Sequence, residues 1–184
     1  MKRTSAAILL ILAITAAVLA GCGGSGGSGV SAAAYVKSIC GAVGPFEKDV
    51  ASRSSALSNL STLSNANQGK QALQGFLSAV VSDTDKAVGK LKAAGTPNVS
   101  NGKQIASTLV KAFNELKTAL QGAQKQADSL PTSSPTAFKT AAQALGTSIQ
   151  TSMTAIGSSL NNLKSPDLEK AAAKEPTCKS IGSG

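Results

Sequence analysis

Histidine and tryptophan are absent from this 184-residue chain, which carries one tyrosine and four phenylalanines. Without histidine there is no Ser–His hydrolysis, no imidazole acid–base chemistry and no His-ligated metal site. Acidic side chains are scarce, nine against 18 basic ones. The glutamates are Glu47, Glu115, Glu169 and Glu175, at outer or terminal positions of the pattern described below. A carboxylate-bridged metal pair in a helical bundle needs several inward Glu and Glu-x-x-His pairs, which these do not supply. No Gly-rich phosphate loop ending in Lys-Ser/Thr occurs. The expectation is therefore no catalytic residue, no cofactor, no metal and no enzymatic activity. The near absence of aromatic rings also removes stacking platforms for nucleic acid, and the lysines are scattered rather than clustered.

The N-terminus is more informative. Met1-Lys2-Arg3 is a short basic start, followed by an apolar run from Ala6 to Ala20. That run is short for a membrane span, which needs about 20 apolar residues, and has the length and charge layout of a signal-peptide core. It ends in Leu19-Ala20-Gly21-Cys22. Small residues before the cut fit a peptidase groove, and the cysteine supplies a thiol for a diacylglyceryl group. This stretch resembles the lipobox of bacterial lipoproteins. The resemblance implies a signal peptide over residues 1–21 and a lipid anchor on Cys22, which becomes the first residue of the mature protein. Two or more acyl chains hold a protein firmly at a membrane, where one is marginal. The Gly/Ser stretch that follows is coil-forming, so residues 22–30 read as lipidated cysteine and tether. The expected place is the extracytoplasmic face of a cell membrane. Without Lys2 and Arg3 the chain keeps 16 basic and 9 acidic side chains, a net of +7. Such a surface suits contact with anionic lipid or an anionic wall polymer, although scattered lysines first of all solvate helix faces.

Residues 31–181 carry the folding signal. Ala is abundant and β-branched residues are few, which favours helix. Four apolar stripes repeat at alternating steps of three and four, each on one helix face. The first holds Val36, Ile39, Val43, Phe46, Val50, Leu57 and Leu60, with Arg53 breaking the row. The second holds Leu73, Leu77, Val80, Thr84, Ala87, Leu91 and Ala94. The third holds Ile105, Leu109, Ala112, Leu116, Ala119, Ala123 and Leu130. The fourth holds Phe138, Ala141, Leu145, Ile149, Ser152, Ile156, Leu160 and Leu163. Thr84 and Ser152, polar members of the stripes, are expected to bond back to a helix carbonyl. Asp83 and Asp85 flank Thr84 and so are expected to face solvent at neighbouring angles, a solvated face rather than a weak calcium site.

Punctuation falls where the stripes end. Leu63-Ser64-Asn65-Ala66-Asn67 offers caps, Gly95 a left-handed stop, and Pro97 and Pro131 cannot continue a helix. Ser134-Pro135 and Ser165-Pro166 each pair an N-cap with a first-turn proline. The second of these opens a short fifth helix with Asp167 and Glu169 at its positive end. Gly41, Gly44 and Pro45 lie inside the first stripe, and Pro45 removes the bond to the Gly41 carbonyl, so a kink or short break is expected there. Four long amphipathic segments on short loops predict an all-α, antiparallel up-down-up-down four-helix bundle. A three-helix or irregular bundle with a split first helix is the alternative.

Two cysteines remain after lipidation. Cys40 lies near the start of the first helix and Cys178 follows the fourth, and in that topology both points share one end. An exported location permits the disulfide Cys40–Cys178. The phenylalanines give a second test. Phe46 and Phe113 are expected nearer the disulfide end, Phe76 and Phe138 nearer the far end.

Tyr35-Val36-Lys37-Ser38-Ile39-Cys40, Ala94-Gly95-Thr96-Pro97 with Asn101-Gly102, and Glu175-Pro176-Thr177-Cys178 are together similar to a family of small secreted or lipid-anchored actinobacterial proteins of unknown function. The resemblance covers most of residues 31–181 and implies place and fold, not mechanism. The expected function is a lipid-anchored, non-enzymatic envelope protein that binds a protein or polymer partner or plays a structural part. The alternative is a carrier or sensor holding an apolar ligand in the bundle core. The Ala-rich stripes weigh against that, because small residues let helices approach closely.

Overall fold

The computed structural model describes residues 29–57, 65–160, 163–179 and 181. The expected signal peptide, Cys22 and the tether as far as residue 28 lie outside them. Five helices follow in order: α1 (Ala32–Leu57), α2 (Ala66–Ala93), α3 (Gly102–Asp128), α4 (Pro135–Leu160) and α5 (Pro166–Lys174), then a 3-10 turn at Pro176–Cys178. The described residues contain no strand, only a single bridge between Val30 and Pro97. The chain is an all-α four-helix bundle with a short fifth helix.

The ends of the helices are set by local chemistry. Asn65 caps α2, its side chain accepting from the amides of Asn67 and Gln68 at 3.0 and 3.3 Å. Gly95 terminates α2 at φ +75°, a left-handed conformation that favours glycine. Ser134 Oγ accepts from the Ala137 amide at 3.1 Å before Pro135 opens α4, and Ser165 accepts from Leu168 before Pro166 opens α5. These are the punctuation marks legible in the sequence.

Packing follows the second stripe closely, since all seven of its members from Leu73 to Ala94 are buried. α2 and α3 form the central pair, α1 lies against α2, α4 lies against α3, and α5 folds back onto α1. The order is antiparallel. Lys70 at the start of α2 donates to the carbonyl of Asp128 at the end of α3, 2.7 Å. Phe46 and Phe113 meet edge to face with centroids 5.8 Å apart, in the cluster built on Ala42, Ala87, Val88 and Leu91. Phe76 and Phe138 belong to the cluster at the opposite end, where Phe138 packs over Gly69. Phe46 also touches that cluster, but Phe113 and Phe138 lie in different ones, so the four rings do not meet in one layer, as the up-down-up-down order requires.

Three expectations are amended. α1 is one uninterrupted helix through Pro45, so the short break does not occur. The single lost backbone bond is outweighed by packing on both sides, with Val36 and Val43 before it and Phe46 and Val50 after. On α3 the buried arc is rotated and widened. Phe113, Leu120 and Ala127 are buried, while Leu109, Leu116 and Ala119 are only half-buried. A helix with neighbours on two sides buries more than one stripe. Finally, Asp83 does not face solvent: it is 8% exposed, covered by α1.

Candidate functional site

Cys40 and Cys178 are bonded, with their Cα atoms 5.1 Å apart. The bond ties the C-terminal turn to α1, and around it the three motifs singled out in the sequence converge on one end of the bundle. Tyr35 is buried at 3% exposure with Ala94 and Ile105. That burial raises the pKa of its hydroxyl above the usual phenol value. The Glu175 carboxylate accepts from both the hydroxyl and the amide of Thr177, at 2.9 and 3.2 Å, which holds it below the usual carboxylate range. Thr177 and Ile181 in turn come within 4 Å of the position a Cβ would take on Gly44.

The chain enters the fold at this same end. The Val30 amide donates to Thr96 O at 2.9 Å and the Asn98 amide donates to Val30 O at 2.8 Å. Gly29 is pressed so closely that a Cβ there would lie 2.9 Å from Thr96 O. The last two residues of the expected tether are thus pinned to the loop between α2 and α3. That loop is itself tight, since a Cβ on Gly102 would lie 2.0 Å from Pro97 O.

Asp83 and Asp85 diverge instead of converging. Asp83 reaches Lys86 Nζ at 2.9 Å and Arg53 Nε at 3.6 Å. Asp85 turns to the other side of α2 and pairs with Lys117 of α3, which holds its carboxyl below the ordinary range. Among the described residues no three His, Cys, Asp or Glu side chains gather as a metal site. Thr84 is fully buried and donates to the Val80 carbonyl at 2.7 Å, and Ser152 donates to Ser148 O at 3.1 Å, the back-bonding expected of both.

Leu77, Leu91 and Thr84 are fully buried in the core. An opening lies outside it. α4 is well buried only through Phe138 and Leu145, and its C-terminal half leaves an open groove of about 1140 Å3 against the first half of α3. Leu91, Ala106, Val110, Ala155 and Ile156 form apolar wall. Lys92, Lys103 and Lys111 stand along it, and Gly95 and Thr96 close its end. Lys111 is 3.7 Å from Glu115, an exposed pair of little energetic weight.

Most hydroxyls in that wall donate within their own helices, and so does one N–H of Asn114. Ser107 donates to Gln104 O, Asn114 to Val110 O and Thr118 to Asn114 O, at 2.9–3.0 Å. Ser159 donates to Ala155 O at 3.3 Å. The stripe on α4 foretold which face turns inward. It carried no signal that the helix stands off from α3 at this end, because periodicity reports the direction of an apolar face and not the distance to its neighbour.

No helix among the described residues is long and apolar enough to cross a membrane. No family model, curated protein or solved structure matches the chain.

Proposed function

We propose that the chain is a lipid-anchored protein of the extracytoplasmic membrane face that binds or supports and does not catalyse. The observation that carries this reading is the partition of its three cysteines. Cys40 and Cys178 are joined to each other, which leaves Cys22, at the end of the lipobox-like stretch, as the thiol available for lipid. A disulfide between the two ends of a domain suits an oxidising compartment, in keeping with export. The similarity of the end motifs to small actinobacterial secreted proteins agrees with the same placement. The non-enzymatic part of the reading draws on the missing histidine and on carboxylates that pair with lysine, arginine or Thr177.

Cys22→Ala tests the anchor. In a host that lipidates such proteins, wild-type chain should incorporate labelled palmitate and sediment with membranes. The variant should remain unlabelled and either keep its first 21 residues or appear in the soluble fraction. A labelled or membrane-bound, processed C22A chain would reject the reading. A ligand held inside the bundle core, the alternative, finds little support in a core packed around Leu77 and Leu91.

A further inference from the structure

We propose that the groove between α3 and the C-terminal half of α4 seats an acyl chain of an anionic membrane phospholipid, with its phosphate at Lys92, Lys103 and Lys111. Three observations converge on this occupant. The wall is apolar where Val110, Ala106, Ala155 and Ile156 face one another. The hydroxyls of Ser107, Thr118, Ser152 and Ser159 and one N–H of Asn114 donate to their own helix carbonyls, which leaves few donors for a peptide backbone. The lysines supply charge opposite to that of a phosphate, offset by Glu115 beside Lys111 and by Asp85, which is paired with Lys117 but within electrostatic reach of Lys92. An apolar slot edged by cations matches an amphiphile with an anionic head better than it matches an acidic polymer, which would leave the slot empty.

Position supports the same occupant. Thr96 closes the groove and also holds the Val30 amide, so the groove and the entry point of the chain are neighbours. Cys22 precedes Val30 by eight residues, and a coil of that length spans roughly 16 Å on average. An anchored molecule would thus hold the groove at the bilayer surface, where anionic headgroups are concentrated. This nearness rests on the anchor proposed above; the chemistry of the groove does not.

The test is photo-crosslinking of the full exported chain in mixed detergent micelles, using phosphatidylglycerol with a diazirine in one acyl chain, and phosphatidylcholine bearing the same group as control. Adducts mapped by peptide mass spectrometry should fall on residues 106–110 and 152–156, and should be several-fold more abundant with phosphatidylglycerol. Lys103→Gln and Lys111→Gln should each lower phosphatidylglycerol labelling by up to about fivefold and leave phosphatidylcholine labelling unchanged. Ile156→Asp should abolish groove adducts while helicity by circular dichroism is retained. Equal labelling by the two lipids, adducts scattered over all helices, or indifference to the lysine substitutions would each overturn the proposal. The lysine variants decide the matter even if I156D fails to fold. The mass of the N-terminal peptide in the same preparation reads the anchor separately. Groove adducts on a chain without lipid at Cys22 would sink the anchor alone, and a lipidated chain without groove adducts would sink the groove alone.

Discussion

Arg53 of α1 leans over the buried carboxylate of Asp83 on α2, its Nε 3.6 Å from Oδ2. In the sequence Arg53 interrupts an apolar row, and Asp83 sits beside a core threonine. Each anomaly accounts for the other. Asp83 Oδ2 has no hydrogen bond within reach, so the guanidinium and Lys86 are what compensate its burial.

Removing the arginine should therefore cost more than its exposed position suggests. Arg53→Ala is expected to destabilise the bundle by about 1 kcal/mol, a figure already reduced because the guanidinium is half exposed to water. Replacing both partners, Arg53→Met with Asp83→Leu, should be neutral or stabilising, since two apolar groups need no compensation. Urea unfolding of the two single variants and the double variant measures the coupling. Additive effects would show that the pair does not interact.

The Cys40–Cys178 bond closes a loop of 138 residues. In the chain-entropy model that restricts the unfolded chain by about 5 kcal/mol, an upper figure. Cys40→Ser with Cys178→Ser is expected to lower the urea midpoint sharply. Because the bond pins the last turn to α1, protease nicking in the C-terminal tail should precede global unfolding in the variant. An unchanged midpoint on adding reductant to the wild type would contradict both expectations.

Two glycines of α2 should respond oppositely to alanine. A Cβ at Gly69 would lie 2.6 Å from Phe138 Cε1, whereas nothing lies within 4 Å of one at Gly75. Alanine at Gly75 gains helix propensity and should stabilise by up to about 1 kcal/mol. At Gly69 the ring of Phe138 must shift within a packed core, which costs about 1–3 kcal/mol and reverses the sign. Thermal melts of G69A and G75A check this, and a stabilised G69A would mean that Phe138 moves freely.

Tyr35 is the chain's single tyrosine, and tryptophan is absent, so phenolate absorbance reports this one site. Burial raises its pKa, so the fold favours the neutral phenol. The associated stability is complete below the ordinary tyrosine value of about 10 and is lost as pH rises through the raised folded value. The titration should begin above that of a free tyrosine and shift back to it in denaturant. A folded-state titration at the free value would place Tyr35 in water.

Much of the fold is legible in the sequence. Asn65, Gly95, Ser134-Pro135 and Ser165-Pro166 mark helix ends because caps and stops act through their own backbone neighbours. Every member of the α2 stripe is buried, and Asp83 and Val88 beside it are buried as well, because α2 lies between α1 and α3. The α3 stripe was less faithful. Phe113 and Leu120 lie one step beside it; Phe113 was drawn in by packing against α1 and α2, and Leu120 by packing against α2 and α4.

Helix class, helix order and the meeting of Cys40 with Cys178 were determined by the sequence alone, since they follow from local periodicity, loop length and the parity of antiparallel helices. The burial of Asp83, the pinning of Val30 to Thr96 and the groove beside Ile156 were decided only in the tertiary structure. Each depends on how far apart two distant segments come to rest. That distance is a compromise among all the contacts along a helix, and no window of the sequence contains it.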